Sequence, residues 1–595
     1  MGTPNFVAAG SQHVETPTPE AVGAQLDKLV QSRYFARSGR MRRFLQFAVQ
    51  HALAGTGDQI KEYSVGVEVF DRKLDYDPRT DPIVRVEARR LRDKLRAYYK
   101  SEGLNDSVVI ELPKGAYMPV FGSRRAPEPP ELMETAQTAI AVLPFANLSP
   151  EVEDDYFSDG LTEELILLLT RIKELRVVAW HSASQFRGRE RDLGSIREEL
   201  KVGVILRGSV RRTDSRMRVM AQLIDTRSGA YLWSEGFDRG THDVLAIQEE
   251  IARAIVNTLR LALDFSRVSI APTKKLNVEC YNLCLQARFH ARGRTSAGLR
   301  KSLECYERAI ERDPGSAPAH AGLADTYSLL ADYGVMHPKD VMPRAEAAAR
   351  IALELDPNSA EASSGLAYIR SLFDWKWQEA EALYRRAIAL NPGSSKARHW
   401  FSIDFLAVLG RFSEAEPEIE LARELDPLSL IIHEASPYLK LMSRDYEGAL
   451  SEFQQLADLD SSFYKAYSGM GRVLTLLGRH SDAIAMFREA LRLAGEVPNV
   501  IGALGQALAL SGHPDEARRC LEELHTMAKI RYVPSTCLAI LHMGLGEWDK
   551  SLDWMELACD QHELPITAAK VHPVYDPLRS HPRFNPILAR MGFLQ

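Results

Sequence analysis

Five marks cut the second half of this chain at nearly equal steps. Asp313-Pro, Asp356-Pro, Asn391-Pro and Asp426-Pro are followed by Asp460, which takes the same place without proline, and the steps are 43, 35, 35 and 34 residues. The residues before the marks agree with one another, as in Tyr306-Glu-Arg-Ala-Ile310, Tyr384-Arg-Arg-Ala-Ile388 and Phe487-Arg-Glu-Ala-Leu491. Those after them agree as well: Ala319-His-Ala-Gly-Leu-Ala324, Ala362-Ser-Ser-Gly-Leu-Ala367 and Ala466-Tyr-Ser-Gly-Met-Gly471. Small residues let two helices approach closely, and proline, which lacks an N–H, breaks the chain between pairs. A helix pair cannot bury its apolar face alone, so pairs stack into a superhelix with a concave surface. From Asn277 onward the sequence therefore predicts an all-helical solenoid. The longer first step implies an insertion around Tyr333–Asp340.

These repeats resemble tetratricopeptide repeat (TPR) arrays over residues 277–560, and the solenoid is expected to occupy 277–595. Its end, from His572 to Phe584, is broken by prolines and resembles the terminal cap of bacterial TPR proteins. His572 and His581 flank turns beside prolines and are expected to be structural. The resemblance implies a protein or peptide ligand in the TPR groove.

The first quarter obeys a different pattern. Asp81-Pro82 suits a helix start, because Asp caps and proline at the first position loses only an unpartnered N–H. After it, Val84, Ala88, Leu91, Leu95 and Tyr98 recur at four-and-three spacing and form one apolar stripe. Arg85, Arg89, Arg92 and Arg96 repeat that spacing one position on, with Arg90 and Lys94 nearby. One side of such a helix packs on a core while the other points at something anionic, and a DNA major groove accepts an element of this kind. Most basic helix faces are merely solvated, but the segment after this helix favours more. Ser107–Phe121 reads as two β-runs broken at Pro113-Lys-Gly115, which puts Lys114 at a hairpin turn. Between Arg33 and Arg125 there are 19 Lys/Arg against 12 Asp/Glu, a basic excess in a chain whose formal net charge is −6.

Ile60-Lys-Glu-Tyr-Ser-Val-Gly-Val-Glu-Val-Phe70, Asp75-Tyr-Asp-Pro-Arg79, the helix from Val84 to Leu95 and Lys114-Gly-Ala-Tyr117 together resemble the winged-helix effector domain of OmpR-type response regulators. That resemblance implies double-stranded DNA as partner, with Arg85, Arg89, Arg90, Arg92, Lys94, Arg96 and Lys114 as DNA-binding residues. Two features depart from the family: no phosphoacceptor receiver domain precedes the module, and Pro113 and Pro119 stand in the wing. The sequence does not sort base contacts from phosphate contacts.

Between these regions the chain alternates strands and helices. Thr138–Phe145, Leu175–Ala179, Val202–Val210, Met217–Asp225 and Ala230–Glu235 read as strands, with helices over Ser158–Ile172, Asp192–Leu200 and Val244–Leu263. Asp159, Glu163 and Glu164 are expected at a helix N-terminus, where the dipole favours acids. His181 stands alone and is expected to be structural. Ile140-Ala-Val-Leu-Pro-Phe-Ala-Asn-Leu-Ser149, Tyr156-Phe-Ser-Asp-Gly-Leu-Thr-Glu-Glu-Leu165, Gly208-Ser-Val-Arg-Arg212, Ala221-Gln-Leu-Ile-Asp225 and Leu232-Trp-Ser-Glu235 resemble the TolB-amino-terminal-like domain of bacterial multidomain regulators. The resemblance implies a sensing or coupling module without a catalytic set.

The expected architecture is thus multidomain α/β plus α: a disordered tail (1–24), a winged helix-turn-helix domain (25–122), a linker (123–137), a small α/β TolB-like domain (138–265), a linker (266–276) and the TPR superhelix with its cap (277–595). Six cysteines in 595 residues do not suggest a disulfide framework. Cys280 and Cys284, one turn apart, lack a second ligand pair and read as small buried residues, so neither metal nor cofactor is expected. The N-terminus lacks the basic and apolar regions of a signal peptide, and no stretch reads as a membrane span. A cytoplasmic compartment is expected, with no membrane partner, and oligomerisation stays open. Related architectures resemble parts of bacterial adenylate cyclases, but no cyclase domain, Walker loop, Gly-x-Ser-x-Gly elbow or His-Glu-x-x-His run is present. The expectation is a non-enzymatic DNA-binding transcriptional regulator whose repeats recruit or sense a partner. The other reading is a TPR scaffold whose basic module never reads DNA.

Overall fold

In the computed structural model, helix α1 (Pro19–Gln31) begins inside the stretch expected to be a disordered tail. The correction has a local cause. Thr18 Oγ1 accepts the Ala21 N–H at 3.3 Å, Pro19 fills the first helical position, and Val22, Leu26 and Leu29 are buried. The structure describes residues 17–123, 139–263 and 277–594, apart from 33, 36–37, 74–75, 79–80, 100–101, 104–105, 107, 114–115, 150–154, 173–174, 189–191, 214–215 and 241–243. The chain forms two compact units, Met1–Glu134 and Thr135–Gln595.

In the first unit α1 is followed by α2 (Gly39–Leu53), α3 (Glu62–Glu68), α4 (Ile83–Tyr99) and an antiparallel pair, β1 (Val108–Glu111) and β2 (Val120–Ser123). The strands register Val108 with Ser123 through Glu111 with Val120, so residues 112–119 connect them. That connection is longer than the tight break expected at Pro113–Gly115. The apolar stripe of α4 faces inward as its spacing predicts: Val84, Ala88 and Leu91 are fully buried, among Phe44, Leu45, Val65 and Ile110.

The second unit opens with β3 (Ala139–Val142), β4 (Ala146–Asn147), α5 (Asp155–Leu169), β5 (Arg176–Val177), α6 (Trp180–Ser184), α7 (Leu193–Leu200), β6 (Val204–Arg212), β7 (Arg216–Asp225), β8 (Tyr231–Gly240) and α8 (Val244–Leu263). The sheet order is β5-β3-β6-β7-β8, with β4 beside β6; β3 runs parallel to β5 and β6, while β6, β7 and β8 form an antiparallel meander. Helices α5 and α8 cover one face through Leu161, Leu165, Ile251 and Ile255. Helices α6 and α7 cover only part of the other, over Ala141, Ile205 and Ile224.

Helix pairs then follow without interruption: α9 (Val278–Ala291) with α10 (Ser296–Arg312), α11 (Ala317–Asp332) with α12 (Pro338–Leu355), α13 (Ala360–Leu372) with α14 (Trp377–Leu390), α15 (Ser395–Phe401) with α16 (Phe412–Leu425). Next come α17 (Leu430–Met442) with α18 (Tyr446–Leu459), α19 (Tyr464–Leu476) with α20 (His480–Ala494), α21 (Pro498–Leu510) with α22 (Pro514–Met527), and α23 (Ser535–Gly544) with α24 (Trp548–Asp560). Two 3-10 turns and α25 (Phe584–Arg590) close the chain. The marks seen in the sequence are the turns between pairs. Asp313 Oδ1 accepts the Gly315 N–H, Asp356 Oδ1 that of Asn358, and Ser316, Ser359 and Ser394 cap the helices that follow. The insertion expected near Tyr333 is a longer connection (333–337) and an 18-residue α12.

Candidate functional site

The basic side chains of α4 divide into two groups. Asp81 Oδ1 accepts the Ile83 N–H at 3.1 Å and caps the helix start. Arg92, half-buried, donates from Nε to Leu112 O (3.0 Å) and from Nη2 to Pro113 O (3.0 Å) and Ala116 O (2.9 Å). It therefore fastens the strand connection to the helix. Lys94, also half-buried, donates to Tyr34 O at 2.6 Å and Ser38 Oγ at 2.8 Å, and lies 5.8 Å from the Phe35 ring centre. Both side chains serve the fold of the unit, a role that spacing alone did not reveal.

The others are exposed. Arg85 pairs with Glu62 at 2.9 Å and also donates to Pro78 O. Arg90 pairs with Glu87 at 2.9 Å and Arg96 with Asp93 at 3.1 Å, each three positions back. Exposed pairs of this kind are worth about 0–1 kcal/mol, so they yield to a stronger anion at little cost. Arg89 is exposed and has no ion-pair or hydrogen-bond partner among the described residues. Lys114 lies outside the described residues. Behind the helix, Asp106 accepts from Gln25 (2.6 Å), Tyr98 (2.7 Å) and Lys28 (3.4 Å). Burial raises this carboxyl, but those three donors hold it below the usual carboxylate range.

A second set of groups lies in the repeats. A cavity of about 260 Å³ opens between α17, α19, α21 and α23 and the closing 3-10 turns, with Glu434, Lys465, Arg472, Asn499 and Tyr575 on its wall. Lys465 pairs with Glu434 at 3.1 Å, and Arg472 donates to Asn499 O at 3.3 Å. His572 accepts the Val574 N–H at 3.2 Å, and His581 that of Arg583 at 3.3 Å, so both shape turns. Burial, then the nearby Arg472, lowers His572 to about 3 and keeps it neutral. Cys280 and Cys284 are buried.

The acids of α5 proved to have partners that the sequence reading missed. The helix starts at Asp155, so Asp159, Glu163 and Glu164 lie beyond its first turn, where the dipole has faded. Arginines hold them instead. Asp159, with 3% of its side chain exposed, pairs with Arg187 and, at 2.6 Å, with Arg292; Arg292 also reaches Glu163 at 3.1 Å, and Arg288 pairs with Glu164. The Arg292 guanidinium stacks 4.2 Å from the Trp180 ring centre. These contacts fasten the α/β region to α9, at the start of the repeats.

Residues 439–498 and 474–525 match the tetratricopeptide repeat family. A protein of Rhizobium meliloti (strain 1021), whose name assigns it provisionally to the adenylate cyclases, is 38% identical over 200 residues, which are 33% of this chain. The match takes in 34% of that protein, so the chain spans about a third of its curated relative. Among solved structures, PilF of Pseudomonas aeruginosa is 18% identical, with 40% of this chain and 98% of that one covered and a TM-score of 0.29. A TPR protein of Parabacteroides merdae is 14% identical (45% and 100% covered, TM-score 0.34), and YrrB, described as a TPR protein with an unusual peptide-binding site, is 20% identical (32% and 93%, TM-score 0.23). The C-terminal region of this chain carries tetratricopeptide repeats, matched over residues 439–525, in an all-helical superhelix that follows a smaller α/β region.

Proposed function

We propose that this chain is a DNA-binding transcriptional regulator. In this reading the first unit is a winged-helix domain of the OmpR type, the α/β region is a TolB-amino-terminal-like coupling domain, and the repeats take a protein or peptide partner. The observation that carries it is the division of α4: an apolar stripe seated in the core, and Arg89, Arg90 and Arg96 left outward beside a two-stranded element. Arginine at such positions recognises guanine edges and phosphates alike. The adenylate cyclase likeness covers a third of the chain, and no catalysis enters the proposal.

The test is recovery of sheared genomic DNA from the host at moderate salt, followed by sequencing, with an Arg89→Ala/Arg96→Ala variant alongside. Enrichment of a few sites, lost in the variant, is the expected outcome. Even recovery, or none, would overturn the reading and leave a repeat scaffold whose basic helix serves another purpose.

A further inference from the structure

Helices α5 and α8 cover one face of β6, β7 and β8; on the other, α6 and α7 cover the end at Ile205 and Ile224, and the rest carries arginines. Arg211 and Arg218 are directly registered across β6 and β7 and so share a face; both are exposed, opposite to buried Val210 and Val219. Neither has an ion-pair or hydrogen-bond partner among the described residues. On the same face Arg207 donates to the Tyr231 hydroxyl at 2.9 Å, and Arg216 pairs with Asp238 at 2.9 Å. Among the described residues, four guanidiniums on this face thus stand against one carboxylate, in a chain with a net charge of −6. Like charges directly opposite on neighbouring strands destabilise a sheet. A bound anion relieves that repulsion.

Tyr231 indicates which anion. Its side chain belongs to a residue 57% exposed, and its ring lies 5.9 Å from the Arg207 guanidinium, at the border of the basic field. Gly236 opposes Met220, whose side chain lies over the glycine in the middle of this face. Guanidinium forks hold phosphates bidentately, and an exposed aromatic beside a basic track is a stacking platform for an unpaired base. A duplex offers no such base, and an acidic peptide gives Tyr231 no role. We propose that this sheet face binds single-stranded nucleic acid, with phosphates at Arg211 and Arg218 and a base on Tyr231.

The full-length protein is titrated with a fluorescein-labelled oligothymidylate of about 16 nucleotides at increasing salt, alongside R211Q/R218Q and Y231A. Each lost phosphate contact lowers the log–log salt slope by about 0.7 for single strands, so R211Q/R218Q should reduce it by about 1.4. Y231A should weaken binding about five-fold or more and leave the slope alone. Because R211Q/R218Q removes a repulsion, its melting temperature should hold or rise, which separates lost binding from lost fold. The same differences should persist in an R89Q background, which makes this outcome independent of the DNA-binding reading above. An unchanged slope in R211Q/R218Q overturns the proposal, and so does equal affinity of the wild type for an oligoglutamate peptide of matched charge.

Discussion

Arg89 and Arg92 lie three positions apart on α4 yet meet different surroundings. Arg92 directs its donors to the carbonyls of Leu112, Pro113 and Ala116 at this half-buried spot. Hydrogen bonds from a charged donor are worth about 1.5–3 kcal/mol, so Arg92→Ala should destabilise the first unit by about 2 kcal/mol. The loss should appear as faster hydrogen exchange in β1 and β2. Arg89→Ala touches no contact and should stay within about 0.5 kcal/mol of wild type, with its effect confined to DNA affinity. Leu91→Ala, at a fully buried position, should cost about 2–5 kcal/mol and speed exchange throughout α4. Equal exchange in the Arg92→Ala and Arg89→Ala proteins would remove the distinction. The four-and-three spacing revealed the stripe, but not which arginine was already engaged. The acceptors of Arg92 lie 20 to 24 residues downstream, on a connection whose path no local pattern encodes.

Between helices, the turn chemistry was largely legible and the ion pairs were not. The Asp-Pro marks predicted the breaks because aspartate folds the chain onto its own following N–H, as Asp313 and Asp356 do. Strands β6 and β7 were likewise readable, being long apolar-rich runs, with alternate residues buried along most of β7. The two-residue β4 and five-residue α6 were not expected, since neither is long enough to carry a period. Nor did the sequence predict the clasp between α14 and α16, where Arg411 reaches Glu381 with both nitrogens at 2.8 and 3.0 Å, while Arg385 approaches from one turn away at 2.7 Å. Hydrogen bonding by Arg411, followed by Arg385, holds the Glu381 carboxyl at about 2 against burial that raises it. A lowered carboxylate contributes stability above its unfolded value, near 4.5, and loses it as pH falls toward 2. Glu381→Gln should therefore melt earlier than wild type at neutral pH, and the gap should close as the pH falls through that window. A gap that stays constant down to pH 2 would mean the clasp contributes nothing through its charge. Trp377 and Trp400, on the neighbouring helices α14 and α15, provide the fluorescence readout.

Over the second unit as a whole, the α/β region meets the repeats at several places, and polar contacts hold it at two of them, on different helix pairs. At one, Arg288 and Arg292 of the first helix pair receive the acids of α5. At the other, the turn after α16 meets the start of α6: Asp426 accepts from Ser182 N at 3.1 Å and Ser182 Oγ at 2.5 Å, and Ala179 N donates to Leu425 O at 2.8 Å. Asp426 is one of the repeat marks, but its carboxyl serves Ser182, whereas Asp313 and Asp356 use theirs on their own turns. Burial pushes this carboxyl above its ordinary range. The sequence pattern placed the acids of α5 on a helix but did not foresee α6, and it showed none of the pairings, because 124 to 246 residues separate the partners. A ligand that shifts the first helix pair relative to the fourth must alter one of the two attachments, which is the physical requirement for coupling between regions. Removing one member of a buried ionic cluster costs about 3–5 kcal/mol where nothing replaces it; Asp159 retains Arg187, so Arg292→Ala should fall near or below the lower end of that range. In the wild type the α/β region and the repeats should melt in one calorimetric transition. Arg292→Ala should split it, with the near-ultraviolet signal of Trp180 and Trp233 lost first and the helical signal of the repeats later. If the variant shows a single transition, shifted but not divided, the arginine cluster contributes stability without deciding the coupling, which then rests on the remaining contacts, Asp426 with Ser182 among them.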